Sequence, residues 1–253
     1  MKQITDFTLV GKCDYGRSVL LRLRSEQALP DIVPGQFVQV RVDDSPSTYL
    51  RRPISIHDVD YQQHEISLLV LQVGEGTRHL ADLECGDKVN MVYPLGHGYT
   101  MPAMTERVLL IGGGVGIAPL YYFAKRMKDM GMHPALLLCG KTKSDLPRLE
   151  EYQKIGDVYV TTEDGSCGEK GITTAHSLWK EQQFDRLYVC GPKRMMHAVA
   201  DIAKERNIEC EVSLENLMAC GLGACLCCVE DTVDGHVCVC KEGPVFNTRR
   251  LKW

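Results

Sequence analysis

Six of the chain's twelve cysteines lie between Cys220 and Cys240. Cys220, Cys225 and Cys228 follow the spacing C-x4-C-x2-C. Thiolates spaced this way hold three corners of a [2Fe–2S] cluster and leave the fourth ligand to a later residue. The four-residue gap lets the backbone curl and turn its N–H groups towards sulfur. Gly221 and Gly223 sit inside that gap, where a chain drawn close to a cluster does best without a side chain. Cys238 or Cys240 can supply the fourth thiolate. Two other uses stay open at this level. A structural zinc ion could take Cys225, Cys228, Cys238 and Cys240, although the one-residue gap of the second pair departs from the usual two to four. A disulfide scaffold is the other.

The rest of the chain narrows the setting. The N-terminus carries Asp6 and no long apolar core, so no export signal is expected and the thiols are expected to serve metals or chemistry in a reducing, cytoplasmic compartment. A net charge of −4 offers no basic surface for nucleic acid. The longest uncharged run, residues 108–124, is too short to span a bilayer and is broken by four glycines and a proline. At 253 residues there is room for two domains with proper cores and a small appendage.

Residues 1–100 are rich in short strand patterns at 19–24, 36–42, 65–73 and 88–92, punctuated by Gly and Pro, which predicts a small antiparallel barrel with one helix after residue 74. Residues 96–102 (G-H-G-Y-T-M-P) are expected to be a hinge. Beyond it, strands at 108–111, 135–139, 158–161, 186–190 and 210–214 alternate with helices over about 118–130, near 149, at 173–181 and at 193–207. That alternation predicts a doubly wound parallel sheet. The expected domains are 1–100, 101–212 and a cysteine-rich subdomain, 213–253.

Three further motifs could bind ligands. The run 112–119 (G-G-G-V-G-I-A-P) leaves a strand and opens a helix, presenting N–H groups to an anion; the bland reading is a glycine-rich turn. Cys190-Gly191-Pro192 ends a strand, where ligands of such sheets lie. A thiol there could face a nicotinamide, or simply be a small buried hydrophobe. Arg51-Arg52-Pro53-Ile54-Ser55 could grip a pyrophosphate with a guanidinium and a ring heteroatom with Ser55, helped by Gly76-Thr77; otherwise the arginines are a solvated face. The eight histidines are scattered and read as structural or surface residues.

Together R-R-P-I-S, G-E-G-T, G-G-G-V-G-I-A-P, C-G-P and the tail V-C-K-E-G-P-V-F resemble the ferredoxin–NADP reductase superfamily, and within it the electron-transfer subunits of class 1B dihydroorotate dehydrogenases. The resemblance covers nearly the whole chain. It implies that Arg52, Pro53, Ile54 and Ser55 bind FAD, that Leu69, Val70 and Leu71 lie along the flavin, and that Gly76 and Thr77 hold its pyrophosphate. It implies Gly113, Gly114 and Gly116 at the dinucleotide, Cys190 and Gly191 at its reactive ring, and Cys220, Cys225, Cys228 and Cys240 on the cluster.

The acidic loop Glu163-Asp164 favours NAD over a 2′-phosphorylated nucleotide, against Lys141 and Lys143. A nicotinamide moves electrons in pairs, a cluster singly and a flavin either way, so the expected role is a relay among the three, with no side-chain acid or base demanded for hydride transfer. The substrate is expected to be oxidised in a partner FMN subunit, two of each chain forming a heterotetramer. The rivals are a reductase subunit of a ferredoxin:NADP, sulfite reductase or hydrogenase system, and a zinc-binding adaptor without catalysis.

Overall fold

Apolar residues at alternate positions give the N-terminal strands one face each to bury, and pairing them edge to edge closes a barrel. The computed structural model describes residues 2–253. Strands β1 (Gln3–Asp14), β2 (Ser18–Arg24), β3 (Phe37–Val40), β4 (Arg52–Asp60) and β5 (Glu65–Leu71), then helix α1 (Glu75–Asp82) and β6 (Lys88–Leu95), form the barrel in the order β1-β2-β5-β4-β3-β6. β6 pairs back with β1, so no edge is left open. Phe7, Leu21, Val38, Val40, Ile66, Leu68 and Met91 are buried inside it, and Leu80 of α1 joins them. Each such side chain contributes roughly 1.5–3 kcal/mol relative to an exposed position.

The second half alternates strand and helix: β7 (Val108–Gly113), α2 (Ala118–Asp129), β8 (Ala135–Gly140), α3 (Leu149–Gln153), β9 (Asp157–Thr162), β10 (Glu169–Lys170), α4 (Leu178–Glu181), β11 (Arg186–Cys190), α5 (Lys193–Glu205) and β12 (Glu209–Ser213). The sheet order is β10-β9-β8-β7-β11-β12, all parallel. Its central strands are buried without alternation, as a sheet covered on both faces requires. The winding reverses between β7 and β11, and a ligand crevice opens beyond their C-terminal ends.

The last forty residues make a hairpin of β13 (Val229–Thr232) and β14 (Gly235–Cys238), the single turn α6 (Val239–Glu242), and β15 (Val245–Asn247). β15 lies antiparallel on β12, so the cysteine-rich segment adds a seventh strand to the nucleotide sheet. Cys228, Val239, Cys240 and Phe246 pack in the same core as Leu187, Val189 and Val212.

Three details depart from the sequence expectations. Residues 173–181 form two separate single turns, because the Trp179 indole N–H donates to the Thr173 carbonyl at 2.8 Å and folds the segment back. Residues 96–102 are a packed connector rather than a hinge: Tyr99 is buried, stacked 4.9 Å from Phe123 and edge-on to Tyr188. The longest barrel strand, β1, is not among the expected strands; it alternates buried and part-exposed residues only from Phe7 to Gly11.

One buried histidine fastens the two halves. His57 of β4 is fully buried; its Nδ1 lies 2.8 Å from the Ala118 carbonyl, Arg148 reaches its Nε2 at 2.6 Å, and Tyr121 stacks on its ring. Burial, then the Arg148 charge, lower its pKa to about 3, so the ring is neutral, donating from Nδ1 and accepting at Nε2. Lys125–Asp58 at 2.8 Å adds an ion pair across the same junction. Phe246 anchors the third element. Phe246→Ala is expected to destabilise the chain by about 3–5 kcal/mol in denaturant unfolding, through lost burial and the cavity left behind.

Candidate functional site

Two loops that leave neighbouring strands meet at the switch point. A Cβ on Gly116 would run into the Cys190 carbonyl, so the turn after β7 and the turn after β11 touch only because position 116 is glycine. Gly113 sits against Met195 and Pro192, and Gly191 lies against Gly113 and Met195. The predicted residues Gly113, Gly114, Gly116, Cys190 and Gly191 therefore share one crevice lip. On its far side, Lys143 N–H and the Asp164 carboxylate are both tied to Ser166.

A cavity of about 420 Å³ lies between this lip and the barrel. The barrel supplies Phe37, Arg52, Pro53 and Ser55; the sheet supplies Cys190, Ser213 and Leu214; the chain leading to the cysteines supplies Glu215 to Met218. Pairing explains the barrel wall. Phe37 lies opposite Ser55 and Gln39 opposite Pro53, so these four side chains share the outer face of β3 and β4. Ile54 points the other way and packs on the barrel core. Val70 is inside the barrel and Leu69 packs at the domain junction with Leu20 and Tyr99, so neither side chain reaches the cavity. Leu71, half-buried at the end of β5, is not part of its lining either.

Among the described residues Arg52 has no carboxylate partner: its Nη1 donates to the Arg51 carbonyl at 3.4 Å, and its Nε would lie 2.9 Å from a Cβ on Gly76, with Thr48 beside it. That open corner, next to backbone N–H groups at the start of α1, fits a pyrophosphate. The Thr77 hydroxyl is already engaged: it accepts from the N–H groups of Val73 and Gly74 at 3.0 Å and donates to the Gly74 carbonyl. Its backbone N–H remains available, its side chain does not.

Glu215 and Ser213 are cavity residues that no motif in the sequence marked. Glu215 Oε1 is 4.0 Å from Cys190 Sγ. Burial raises the pKa of the Glu215 carboxyl, and burial followed by the Glu215 charge raises that of the Cys190 thiol well above its usual value. Cys190 is therefore a neutral thiol, an uncharged donor facing the cavity.

The cysteines gather around a loop with left-handed residues at Gly221 (φ 68°), Gly223 (φ 82°) and Leu226 (φ 60°). This curl turns N–H groups onto sulfur. Leu222 and Ala224 donate to Cys220 Sγ at 3.3 and 3.4 Å, Gly223 to Cys240 Sγ at 3.1 Å, and Cys240 N–H to Cys228 Sγ at 3.3 Å. Burial opposes ionisation of Cys220, but these N–H groups and that of Cys225 lower its pKa to about 6. Burial and the neighbouring Cys228 push Cys240 up to about 12 in the metal-free chain; a bound iron displaces such protons. Cys225 interacts with Cys220, and Cys228 with both Cys240 and Cys238, so the four predicted thiols lie together with Cys238 beside them. Among the described residues, no three His, Cys, Asp or Glu side chains surround a single ion position. A binuclear cluster does not need that, since its four thiolates are divided between two irons. Cys238 is half-buried with its Sγ 3.8 Å from the Gly223 carbonyl, a thiol's contact rather than a thiolate's, and Cys227 is exposed.

Known proteins fit the same plan. Residues 215–252 match the family described as the iron–sulfur cluster binding domain of dihydroorotate dehydrogenase B, and residues 110–201 match the oxidoreductase NAD-binding domain family. The chain is 38% identical to the "Dihydroorotate dehydrogenase B (NAD(+)), electron transfer subunit" of Fusobacterium nucleatum, over 84% of each chain. It is 37% identical to the Shouchella clausii protein of the same name, over 94% of each. Among solved structures, a chain of an NADH-dependent reduced ferredoxin–NADP oxidoreductase superposes with a TM-score of 0.88 at 30% identity, covering 98% of this chain and 90% of that one. An Amycolatopsis cytochrome P450 reductase, at 21% identity and a TM-score of 0.70 over 82% of this chain and 67% of that one, shares the fold.

The grouping of thiols sets an expected outcome. Cys225→Ser should abolish the cluster's visible absorption and iron content while flavin stays bound, and Cys227→Ser should leave both intact.

Proposed function

The chain belongs to the family of dihydroorotate dehydrogenase B (NAD+) electron-transfer subunits, and from that membership we propose that it carries electrons from dihydroorotate, oxidised in a separate FMN-containing subunit, to NAD+ in pyrimidine biosynthesis. Its cofactors are FAD, a [2Fe–2S] cluster and NAD. The observation that carries the reading is a single cavity shared by Arg52 and Ser55 of the barrel, Cys190 of the nucleotide sheet, and the Glu215–Met218 segment that runs straight into the cluster loop.

When bound, the nicotinamide exchanges hydride, the cluster exchanges single electrons, and the flavin handles both, which is the chemistry such a relay requires. The protein's part is placement and electrostatics. Arg52 and the N–H groups at Gly76 and Thr77 would hold the FAD pyrophosphate, and Pro53, Ser55 and Phe37 would line the site of its ring. Gly113, Gly114 and Gly116 admit the dinucleotide phosphates, and the closed meeting of Gly116 with the Cys190 carbonyl fixes the nicotinamide's depth. Cys190 keeps its proton on Sγ, so no thiolate adds charge beside the reacting rings. Cys220, Cys225, Cys228 and Cys240 would supply the four thiolates of the cluster. These roles correspond to functional regions bounded near residues 100 and 212.

The partner docks on the cluster side in this reading. Leu217, Leu222 and Leu226 are 85%, 47% and 64% exposed on and beside the cysteine loop, apolar side chains that a docked partner would cover. A heterotetramer of two chains of each kind, in the cytoplasm, completes the proposal. Among the described residues, no helix is long and apolar enough to cross a membrane. The likeness to the ferredoxin–NADP oxidoreductase chain favours, as a second reading, a subunit serving that kind of acceptor.

Dihydroorotate assays separate the two. The isolated chain should oxidise NADH with an artificial acceptor but leave dihydroorotate untouched, and adding the FMN subunit should give dihydroorotate-dependent NAD+ reduction. Failure of any dihydroorotate dehydrogenase catalytic subunit to bind or couple would overturn the assignment in favour of the second reading. Arg52→Ala should release FAD on gel filtration while iron is retained. Leu226→Asp should weaken partner binding at least tenfold without changing NADH oxidation by the isolated chain.

A further inference from the structure

Among the described residues, the Gln39 side chain has no hydrogen-bond partner. It is completely buried in β3, and neither its amide nitrogen nor its amide oxygen makes a hydrogen bond. Such a group is unfavourable in a native interior unless something else satisfies it. Its place in the fold limits what that can be. Val38 and Val40 point into the barrel, so Phe37 and Gln39 point out of it. Phe37 lines the flavin cavity; Gln39, one step along the same face, does not. It packs instead on Gly221, inside C-x4-C: a Cβ there would lie 2.6 Å from its Cγ and 3.0 Å from its Nε2. The backbone around it is engaged, with Arg51 donating to the Gln39 carbonyl at 3.3 Å.

We propose that the Gln39 side-chain amide donates a hydrogen bond to a sulfur of the iron–sulfur cluster and holds the cluster's reduction potential up. This rests on the reading of Cys220, Cys225, Cys228 and Cys240 as cluster ligands. The four thiolates and the sulfides make the cluster anionic, so the amide must turn its NH2 towards it and its oxygen away. The loop N–H groups already reach Cys220 and Cys240, and Gln39 comes against the same loop at Gly221 from the barrel wall. A donor to sulfur stabilises the reduced, more negative state, and hydrogen bonds to sulfur are among the levers that set such potentials. The close approach also gives a reason for glycine at 221: any side chain would displace the amide. Gln39 thus acts on the cluster by position from a barrel strand, 181 residues before the first ligand.

The test compares wild type with Gln39→Met, which keeps length but removes the donor, and Gln39→Glu, which keeps shape but replaces the NH2 by oxygen. Redox titration followed by the paramagnetic signal of the reduced cluster is the readout. At the wild-type midpoint, the reduced-to-oxidised ratio should fall at least threefold in Gln39→Met, about 28 mV at 59 mV per tenfold for one electron, and further in Gln39→Glu. Iron, sulfide and flavin contents should stay at wild-type values. Unchanged midpoints and g-values in iron-replete variants overturn the proposal while leaving the cluster assignment standing. A wild-type chain with no cluster signal overturns the assignment itself. If neither variant folds, pulsed paramagnetic spectroscopy of wild type labelled with ¹⁵N at glutamine side-chain amides decides. A glutamine nitrogen coupled to the reduced cluster supports the proposal, and none contradicts it.

Discussion

A backbone tie just beyond the last predicted cluster cysteine, Cys240, decides whether this chain can work. β15 pairs with β12, the Leu214 N–H donates to the Pro244 carbonyl at 2.9 Å, and the His97 N–H at the barrel exit donates to the Gly243 carbonyl at 2.5 Å. Residues 243–247 therefore tie the sheet, the barrel and the end of the cysteine segment together at one point. Cys240 is three residues before this knot, and Phe246 within it is buried in the sheet core. Electron transfer between carriers falls steeply with separation, so a cluster loop free to swing would be useless. The strand pairing removes that freedom with backbone hydrogen bonds and one aromatic anchor.

The same economy governs the other contacts. The barrel and the nucleotide sheet are fixed by His57, kept neutral by burial and by Arg148 so that it can donate to α2 and accept from Arg148 at once. The cavity then needs no mobile lid to assemble: Arg52, Ser55, Cys190 and Glu215 already face it. In the cysteine loop, left-handed backbone at Gly221 and Gly223 converts amides that would otherwise face water into donors to sulfur. In each case the chain prepares a place for charge before the charge arrives, which lowers the reorganisation an electron carrier must undergo.

Much of this was legible in the sequence, for identifiable reasons. Metal-binding thiols obey tight spacing, so Cys220, Cys225 and Cys228 stood out as candidate ligands, and the tail V-C-K-E-G-P-V-F pointed to Cys240 through resemblance. Strand–helix alternation gave the sheet, and Gly-Gly-Gly-Val-Gly the tight turn at its switch point. What was hidden depends on long-range pairing. Gln39 occupies the polar position of an alternating strand, which reads as solvent-facing until the cysteine loop is laid over it. Glu215 sits in irregular chain with no motif around it and is defined only by the cavity that buries it. β15 is three residues long, too short to announce itself. The helix expected over 173–181 follows a sound local pattern that one tertiary hydrogen bond, Trp179 to Thr173, overrides.

The central claim is that a two-electron and a one-electron carrier communicate inside this one polypeptide. Anaerobic addition of NADH to the purified chain alone, with optical and low-temperature paramagnetic spectra recorded together, tests it most directly. The account expects the flavin bands to bleach and the signal of a reduced [2Fe–2S] cluster to grow in the same sample, with no other protein present. Flavin that bleaches beside a fully loaded cluster that stays oxidised, though a stronger chemical reductant reduces it, would mean that the two sites are not connected.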